Sequence, residues 1–357
     1  MKNIIVGMSG GVDSAVAAYL LLKKGYHVEA IFMKNWEDDS KYCTSERDYL
    51  DALQVCDVLD IPLRTVNFSK EYWDKVFQNF LSEYKAGRTP NPDILCNTEI
   101  KFKEFLNYAI QLGADKIATG HYVQTKLNGT KIQLFKGLDI KKDQSYFLYG
   151  LNQNQILKTI FPLGNLDKIM VRAYAKKLGF KNFNKKDSTG ICFIGERNFK
   201  QFLKKYIPAK PGNIITSNGE NIGFHDGLMY YTLGQRKGLG IGGTKNKLNS
   251  PWYVISKDLT KNHLIVDQGH NHKNLYKKYL NGSSVNWISG TKPLLKKLHA
   301  KIRYRMDDAP CTITELNSNN IKVKFDKPQF AIAPGQSIVF YNKNECLGGA
   351  IIDKTYN

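Results

Sequence analysis

The stretch GMSGGVDS at residues 7–14 stands between a short apolar run, IIV at residues 4–6, and a long helical pattern, AVAAYLLLKK. Its three glycines let the backbone turn tightly and aim several N–H groups at one anion. A helix that starts near Asp13 adds the positive end of its dipole. A strand, a glycine turn and a helix in this order predict a phosphate-binding loop at the edge of a parallel sheet.

The first two hundred residues continue this alternation of strands and helices. The apolar strand patterns are IIVGM, HVEAIFM, residues 61–68 and residues 116–119. Residues 69–86 place aromatic and aliphatic side chains at helical spacing, and the pattern ends at Gly87. The alternation predicts a doubly wound parallel α/β sheet.

The pattern changes after about residue 205. NIITSNGENIGFH carries Asn218-Gly219, a two-residue hairpin signal, and the glycine-dense GQRKGLGIGG follows. From about residue 279 the pattern is all β, because AKIRYR and NIKVKF alternate apolar and basic residues. In NIKVKF, ordinary solvated lysines explain the alternation better than a binding surface does. We predict an α/β domain at 1–204, a small β-rich domain at 205–278 and a C-terminal β-barrel with basic outer ridges at 279–357.

The excess of basic over acidic residues bears on the kind of molecule that the protein binds. With 52 Lys and Arg against 32 Asp and Glu, the net charge is +20, which suits a polyanion such as nucleic acid. A general excess of lysine on solvated faces explains this charge equally well. The apolar run near the N-terminus is far shorter than the roughly 20 residues that cross a bilayer, and it lacks a cleavage-site context. We therefore expect a cytoplasmic protein with no membrane association.

The six cysteines contain no CxxC pair, which disfavours zinc ribbons, iron–sulfur clusters and a static disulfide framework. Cys96 ends the proline-stiffened loop TPNPDILC and precedes a helical pattern, near whose N-terminus a thiolate is favoured. Cys192 lies in the apolar run of STGICFIGER. Taken alone, each cysteine is better explained as a buried structural residue.

The phosphate loop lacks the lysine that clamps the β- and γ-phosphates in γ-phosphoryl transfer. It closely resembles the SGGxDS loop of the PP-loop ATP pyrophosphatases, which have an adenine-nucleotide-hydrolase-like fold. That resemblance implies cleavage between the α- and β-phosphates, adenylation of a substrate oxygen and release of pyrophosphate. It implies that the hydroxyls of Ser9 and Ser14 hold pyrophosphate and that Asp13 orients the Mg²⁺ that accompanies ATP, with no other tightly bound metal. The loop residues in contact with ATP would be Gly7, Met8, Ser9, Gly10, Gly11, Val12, Asp13 and Ser14.

Further motifs follow the loop in a fixed order. They are TPNPDILCN, GHY at 120–122, KDQSYFLY at 142–149, STGICFIGER at 188–197 and YTLGQRKGLGIGG at 231–243. Over essentially the whole chain this set resembles the tRNA-specific 2-thiouridylases, with a weaker match in the C-terminal barrel. The resemblance implies an ATP-dependent sulfurtransferase that replaces oxygen 2 of the wobble uridine of tRNA by sulfur.

The resemblance also implies roles for the cysteines. Cys192 would receive a persulfide from a sulfur-relay protein or a cysteine desulfurase, and Cys96 would attack it, leaving a Cys96–Cys192 disulfide. Direct attack of the persulfide on C2 and prior release of bound sulfide both remain open. Asp93 would be a general acid or base, and its alternative role is to cap the following helix.

The resemblance to the family also implies further residues of the ATP site and of the tRNA site. Met33 and Gly120 would line the adenosine site, although a strand-end methionine and a strand-end glycine turn explain them equally simply. The residues expected to contact tRNA are Asn91, Pro92, Asp93, His121, Lys142, Asp143, Gln144, Arg303, Tyr304 and Gln336. His121, taken alone, is better explained as a core histidine.

Three alternative functions are consistent with part of this pattern. A PP-loop ligase with an amine acceptor would need the same loop but no pair of cysteines. A non-catalytic basic RNA-binding protein would use the charge and keep the loop only as a relic or a nucleotide switch. A thiolase with an iron–sulfur cluster is disfavoured because CxxC is missing.

Overall fold

A computed structural model describes residues 1–37, 45–187, 199–241, 250–295 and 297–357. Its first sheet has five parallel strands in the order β3-β2-β1-β4-β7. The strands are β1 (Asn3–Gly7), β2 (His27–Lys34), β3 (Leu63–Asn67), β4 (Lys116–Ala118) and β7 (Thr159–Ile160). The predicted doubly wound parallel sheet is confirmed.

Helices cover both faces of this sheet. They are α1 (Val12–Lys23), α2 (Ser45–Leu59), α3 (Ser69–Tyr72), α4 (Gln78–Lys85), α5 (Pro92–Leu95), α6 (Phe105–Gln111), α7 (Gln153–Leu157), α8 (Lys168–Lys177) and α9 (Phe199–Lys204). Alternate residues of β1 point to opposite faces, so Ile4 packs with residues of α1 and α8, whereas Ile5 packs with Phe77 and Phe105. Among the described helices, none is long and apolar enough to cross a membrane.

Two helical segments contain π-helical turns. Trp73–Phe77 connects α3 to α4, and Cys96–Glu104 connects α5 to α6. The second segment makes residues 92–111 one continuous helix whose middle is wound more widely than an α-helix. Such turns are frequent at functional sites.

The second sheet has the strand order β10-β11-β8-β9. Its strands are β8 (Gly212–Thr216), β9 (Asn221–His225), β10 (Trp252–Asp258) and β11 (His263–Gln268). Strands β8 and β9 form the antiparallel hairpin that Asn218-Gly219 predicts, with Gly219 at φ +86°.

The third sheet closes on itself because β12 pairs with both β15 and β17. Its strands are β12 (Tyr276–Trp287), β13 (Lys297–Lys301), β14 (Ala309–Leu316), β15 (Asn320–Phe330), β16 (Ser337–Asn342) and β17 (Glu345–Tyr356). A hairpin from earlier in the chain, β5 (Val123–Asn128) and β6 (Lys131–Lys136), extends this barrel along β17. The sequence pattern did not indicate this junction.

The structure confirms one of the two strands predicted for the barrel, NIKVKF, and only part of the other, AKIRYR. NIKVKF is confirmed, since Ile321, Val323 and Phe325 are buried and Lys324 is exposed. The prediction for AKIRYR is wrong after Lys301, because β13 ends there and the chain turns, with Arg305 at φ +68°. Lys301 itself is buried, so the segment presents no continuous basic ridge.

Candidate active site

The phosphate loop lies where the strand order of the first sheet reverses. Strand β1 lies between β2 and β4. The chain adds β2 and β3 on one side of β1, and it then adds β4 and β7 on the other side. At such a point the connections leave β1 and β4 on opposite sides and open a crevice at their carboxyl ends. Gly120, just after β4, lies directly against the loop, since a Cβ on it would be 2.8 Å from the Asp13 carbonyl carbon and the Ser14 nitrogen.

The loop is held in shape by its own side chains. The Ser9 and Ser14 hydroxyls lie 3.2 Å apart, and Ser14 donates to the Gly11 carbonyl at 3.0 Å. Gly10 has φ +72°, and a Cβ there would lie 2.1 Å from the Asp48 carbonyl oxygen of α2. The loop therefore needs glycine at position 10 for both its backbone angle and the close approach of α2.

The carboxylate of Asp13 is bound by two partners from distant parts of the chain. Lys168 donates to its two oxygens at 2.7 and 2.8 Å, and the Tyr122 hydroxyl donates to Oδ1 at 2.7 Å. Lys168 also pairs with Asp187 at 2.6 Å. Burial, together with the charge of Asp13, raises the pKa of Tyr122 well above its usual range, so its hydroxyl stays protonated and donates.

The expected adenosine contacts lie beside the start of the loop. The Met33 side-chain methyl would be 3.2 Å from a Cβ on Gly7, and the Phe105 ring would be 3.3 Å from it. Phe105 belongs to α6, so the helix that carries Cys96 packs against the phosphate loop. This contact brings the predicted adenosine site and the Cys96 helix to the same end of the sheet.

Asn91 and Asp93 define the start of that helix. The Asn91 side chain caps it by accepting from the Asp93 backbone N–H at 3.2 Å, and Pro92 occupies the first turn. The cap is thus Asn91, whereas the sequence suggested Asp93 as an alternative cap. Burial raises the pKa of the Asp93 carboxyl, with the charge of Lys101 opposing it, which favours the protonated form that a general acid needs.

Cys96 is buried, with 2% of its surface exposed, and it begins the π-helical turn. The sequence placed it before the helix, but it is the fifth helical residue, because the helix starts at Pro92. The next side chain, Asn97, donates to the Phe147 carbonyl at 3.3 Å. Its buried Oδ1 has no hydrogen-bond partner among the described residues. The Cys96 helix therefore contacts the KDQSYFLY segment directly.

Residues 142–144 contribute three different contacts. Lys142 pairs with Asp187 at 2.6 Å and is partly exposed. Asp143 is buried and accepts from the Ser145 backbone N–H and hydroxyl. Gln144 accepts from the Tyr122 N–H at 3.0 Å, which links this segment to the partner of Asp13.

His121 is buried beside Thr119, whose hydroxyl lies 2.8 Å from its Nδ1. Burial, with a smaller effect from the charge of Lys101, lowers the pKa of His121 well below its usual range. The imidazole is therefore neutral at pH 7. Its position in this structure is that of a satisfied core histidine beside the site.

The barrel residues that were expected to contact tRNA differ in their exposure and in their partners. The Tyr304 ring packs on Phe147 with 4.4 Å between centroids, so it reaches the site. Arg303 donates to the Ala331 carbonyl at 3.3 Å and is half-buried, whereas Arg305 is exposed. Gln336 donates to the Thr89 carbonyl at 2.7 Å, at the start of the loop that leads to Asn91 and Cys96.

Cys192 lies outside the described residues, so its predicted pairing with Cys96 has no structural counterpart here. Three residues at the site were missed by sequence reasoning, namely Tyr122, Lys168 and Asp187. Tyr122 lies in the quoted GHY motif. Lys168 and Asp187 are single charged residues without a local pattern, and only the fold brings them to Asp13.

Three domain families match the chain in succession. They are described as "tRNA methyl transferase HUP domain" at residues 2–196, "tRNA methyl transferase PRC-barrel domain" at 200–268 and "Aminomethyltransferase beta-barrel domain" at 277–352. The first covers more than half of the chain and contains the parallel sheet and the phosphate loop. Fold and loop together define a PP-loop protein that uses ATP.

Curated relatives match almost the full length. The tRNA-specific 2-thiouridylase MnmA of Methylococcus capsulatus is 56% identical over 99% of this chain and 97% of its own. The protein of the same name from Klebsiella pneumoniae (strain ATCC 700721 / MGH 78578) is 58% identical, with the same shares covered. The chain belongs to the tRNA-specific 2-thiouridylase family and is a tRNA sulfurtransferase.

Proposed function

We propose that this protein catalyses the ATP-dependent replacement of oxygen 2 of the wobble uridine of tRNA by sulfur. The observation that carries the proposal is the near full-length identity of 56–58% with 2-thiouridylases. The geometry supports it, since the Asp13 carboxylate, the Cys96 helix and the KDQSYFLY segment meet at the switch point of the sheet.

The first step uses the phosphate loop. The uridine oxygen attacks the α-phosphorus of ATP, the bond to the β-phosphate breaks, and pyrophosphate leaves into the amides of the loop and the hydroxyls of Ser9 and Ser14. Asp13 is the residue that would hold the Mg²⁺ of ATP, which would neutralise charge on the phosphate oxygens. The Asp13 carboxylate accepts from the Lys168 ammonium at 2.7 Å, which supports a role for it in binding cations.

The second step uses both cysteines. In the direct route, the terminal sulfur of a Cys192 persulfide attacks C2, and AMP departs with the original oxygen. The Cys96 thiolate then attacks the Cys192 sulfur, which releases the thiocarbonyl and leaves a Cys96–Cys192 disulfide. The two electrons that reduce the transferred sulfur come from this oxidation of two thiols, so an external reductant must restore them. Asp93, with its raised pKa, is the proposed general acid or base beside the uracil ring.

We assign the binding of tRNA to the basic surface and to the barrel. Lys142, Arg305 and Tyr304 are at least partly exposed near the KDQSYFLY segment and suit contacts with phosphates and bases. We propose that 1–204 performs catalysis and that 279–357 holds tRNA, with 205–278 between them. A persulfide-carrying protein of the cytoplasm is the proposed sulfur donor.

The test is mass spectrometry of nucleosides from tRNA incubated with the protein, Mg-ATP and a persulfide source. We expect a 2-thiouridine product that disappears in Cys96→Ser and in Cys192→Ser. Cys311→Ser is the matched control, because Cys311 is as buried as Cys96 but lies in the barrel core. Full thiolation by either of the first two variants would refute the assignment of the cysteines.

The same spectra distinguish thiolation from the methyl transfer that the domain-family descriptions name. Substitution of sulfur for oxygen and addition of a methyl group change the nucleoside mass by different amounts, so a methyltransferase would be recognised when S-adenosylmethionine is supplied. Release of pyrophosphate without any thiolated nucleoside would instead indicate a PP-loop ligase with another acceptor.

A further inference from the structure

Lys168 is a buried lysine in an electrostatically unusual place. It is the first residue of α8, where the helix dipole disfavours a positive charge, and only 8% of its surface is exposed. Its ammonium lies 2.7 and 2.8 Å from the Asp13 oxygens, and it also lies over the Tyr122 ring, 5.8 Å from the centroid. The fold thus inserts a cation next to the one carboxylate of the phosphate loop.

A second lysine near the loop has a different orientation. Lys185 contacts the Gly10 carbonyl at 3.3 Å and pairs with Asp48 and Asp51. In a trans peptide the carbonyl points opposite to the following N–H, so Lys185 lies on the side of the loop away from the Gly11 N–H. Lys185 therefore supports the loop from behind, and Lys168 is the better placed of the two for an anion bound by the loop.

The surroundings of Lys168 leave positive charge available. Asp187 is shared by Lys168 and Lys142, each at 2.6 Å, and Arg172 lies 3.9 Å from it. Burial alone would raise the pKa of Asp187, but the bonds from the two lysines outweigh it and hold the pKa below its ordinary value. Three cations, Lys142, Lys168 and Arg172, thus gather at Asp187, and a third carboxylate, Asp139, accepts from the Lys168 backbone N–H at 3.1 Å. The Lys168 ammonium can leave Asp187 for a polyphosphate, because Lys142 and Arg172 remain beside that carboxylate.

We propose that Lys168 supplies, from the start of α8, the phosphate-binding ammonium that the loop itself lacks. It lies 155 positions after Asp13 in the chain. When ATP occupies the loop, the Lys168 ammonium exchanges its bond to Asp187 for one to the β- and γ-phosphates, and it neutralises charge on the departing pyrophosphate. A lysine suits this exchange because its charge is compact and its stem is flexible. The inference rests on the proposed use of ATP and adds a binding residue to it.

The test compares equilibrium binding of ATP, inorganic pyrophosphate and AMP by calorimetry in magnesium buffer. We expect Lys168→Met to weaken ATP and pyrophosphate by about tenfold or more, as for loss of one charged contact, and to leave AMP unchanged. Lys168→Arg should retain part of the affinity. Pyrophosphate binding of wild-type strength in Lys168→Met would overturn the inference.

A second variant, Asp187→Asn, tests whether Lys168 binds phosphate or only stabilises the fold. It can be used even if Lys168→Met does not fold. It keeps the ammonium and removes a competing carboxylate, so pyrophosphate should bind as tightly as in the wild type or more tightly. Equal weakening of ATP, pyrophosphate and AMP in Asp187→Asn would mean that the ion pairs only hold the fold, and this would refute the inference.

Lys136→Met is the matched control. Lys136 is also 8% exposed and pairs with Asp308 at 2.9 Å, but it belongs to β6 of the hairpin on the barrel. Its variant should bind all three ligands normally. If the wild type binds no ATP or pyrophosphate, the proposed function itself fails. If it binds both and thiolates tRNA, while Lys168→Met binds pyrophosphate normally, only the role of Lys168 fails.

Discussion

At the scale of single residues, the phosphate loop depends on one backbone position. Gly10 combines a left-handed φ of +72° with an approach so close that a Cβ would overlap the Asp48 carbonyl oxygen. Gly25 has a similar φ of +78° at the end of α1, but a Cβ there meets nothing within 4 Å. Substitution of Gly25 therefore measures the cost of the backbone angle alone, whereas substitution of Gly10 adds the steric overlap with α2.

We expect Gly25→Ala to lower the free energy of unfolding by roughly 1 kcal/mol, the cost of the backbone angle. Gly10→Ala should cost more and should also abolish measurable ATP binding, because α2 and the loop must separate. Urea unfolding and ATP calorimetry measure the two effects. Equal stability losses with ATP binding preserved would contradict the steric explanation.

Lys257 predicts a pH dependence of stability. Burial lowers its pKa to about 8, and its ammonium donates to the Gly87 carbonyl at 2.9 Å. Between about pH 8 and the ordinary lysine value near 10.4, the unfolded chain keeps a proton that the folded chain releases. The free energy of unfolding must therefore rise with pH in that window, relative to a chain without Lys257.

The measurement is the difference in unfolding free energy between the wild type and Lys257→Met across this window. We expect that difference to shift in favour of the wild type as the pH rises. Lys324→Met, at an exposed position of β15, is the control for loss of a lysine side chain. A flat difference for Lys257→Met would show that its pKa in the folded state is not depressed.

At the scale of elements, the loop before the Cys96 helix is held by two other parts of the chain. The Thr89 hydroxyl lies 2.8 Å from that of Thr232, and the Thr89 N–H donates to the Pro334 carbonyl at 2.9 Å. Gln336 completes the contact from the barrel side. These bonds fix the backbone that leads to Asp93 and Cys96, so we expect them to control the placement of the catalytic groups.

Gln336→Ala removes one of these bonds. We expect the thiolation rate to fall by about 2- to 10-fold, the effect of one hydrogen bond, with unchanged affinity for tRNA and ATP. Gln329→Ala is the control, since Gln329 also donates to a backbone carbonyl at 2.8 Å but only within its own strand. A loss of tRNA affinity equal to the loss of rate would instead support the direct tRNA contact inferred from the family.

At the scale of the whole molecule, the barrel and the parallel sheet are joined by β5 and β6. Leu134 of β6 is fully buried and pairs in register with Cys346 of β17. Gly137 and Tyr122 flank the hairpin, and Tyr122 binds the carboxylate of Asp13. The hairpin thus connects the barrel that we assign to tRNA with a residue that binds Asp13 in the site that we assign to ATP.

The net charge of +20 predicts the salt dependence of tRNA binding. Each phosphate contact releases counterions, so the affinity should fall at least tenfold between about 50 and 200 mM salt. Fluorescence titration with tRNA measures this slope, and thermal melting in the same buffers excludes unfolding by salt. An affinity that does not change with salt would show that the positive charge is not used for tRNA.

Much of the fold followed from local patterns. Four of the five strands of the parallel sheet, the helix that ends just before Gly87 and the Asn218-Gly219 hairpin are specified by periodicity and turn chemistry, which act over a few residues. AKIRYR failed because its alternation continues through a turn, and local propensity does not reveal where a strand must bend to close a barrel. Asp143 was expected at the tRNA, yet its carboxylate is buried and bonded to Ser145.

The sequence by itself determined the phosphate loop, the order of strands and helices around it and, through its motifs, the family. These features are written in adjacent residues, because glycine angles, side-chain periodicity and helix starts depend on short stretches of chain. Only the tertiary structure decided that Lys168, Tyr122 and Asp187 gather at Asp13. The bonds from Tyr122 and Lys168 to Asp13 join residues 109 and 155 positions apart. Packing of the sheet and its helices, which no local pattern encodes, brings these residues within hydrogen-bond distance.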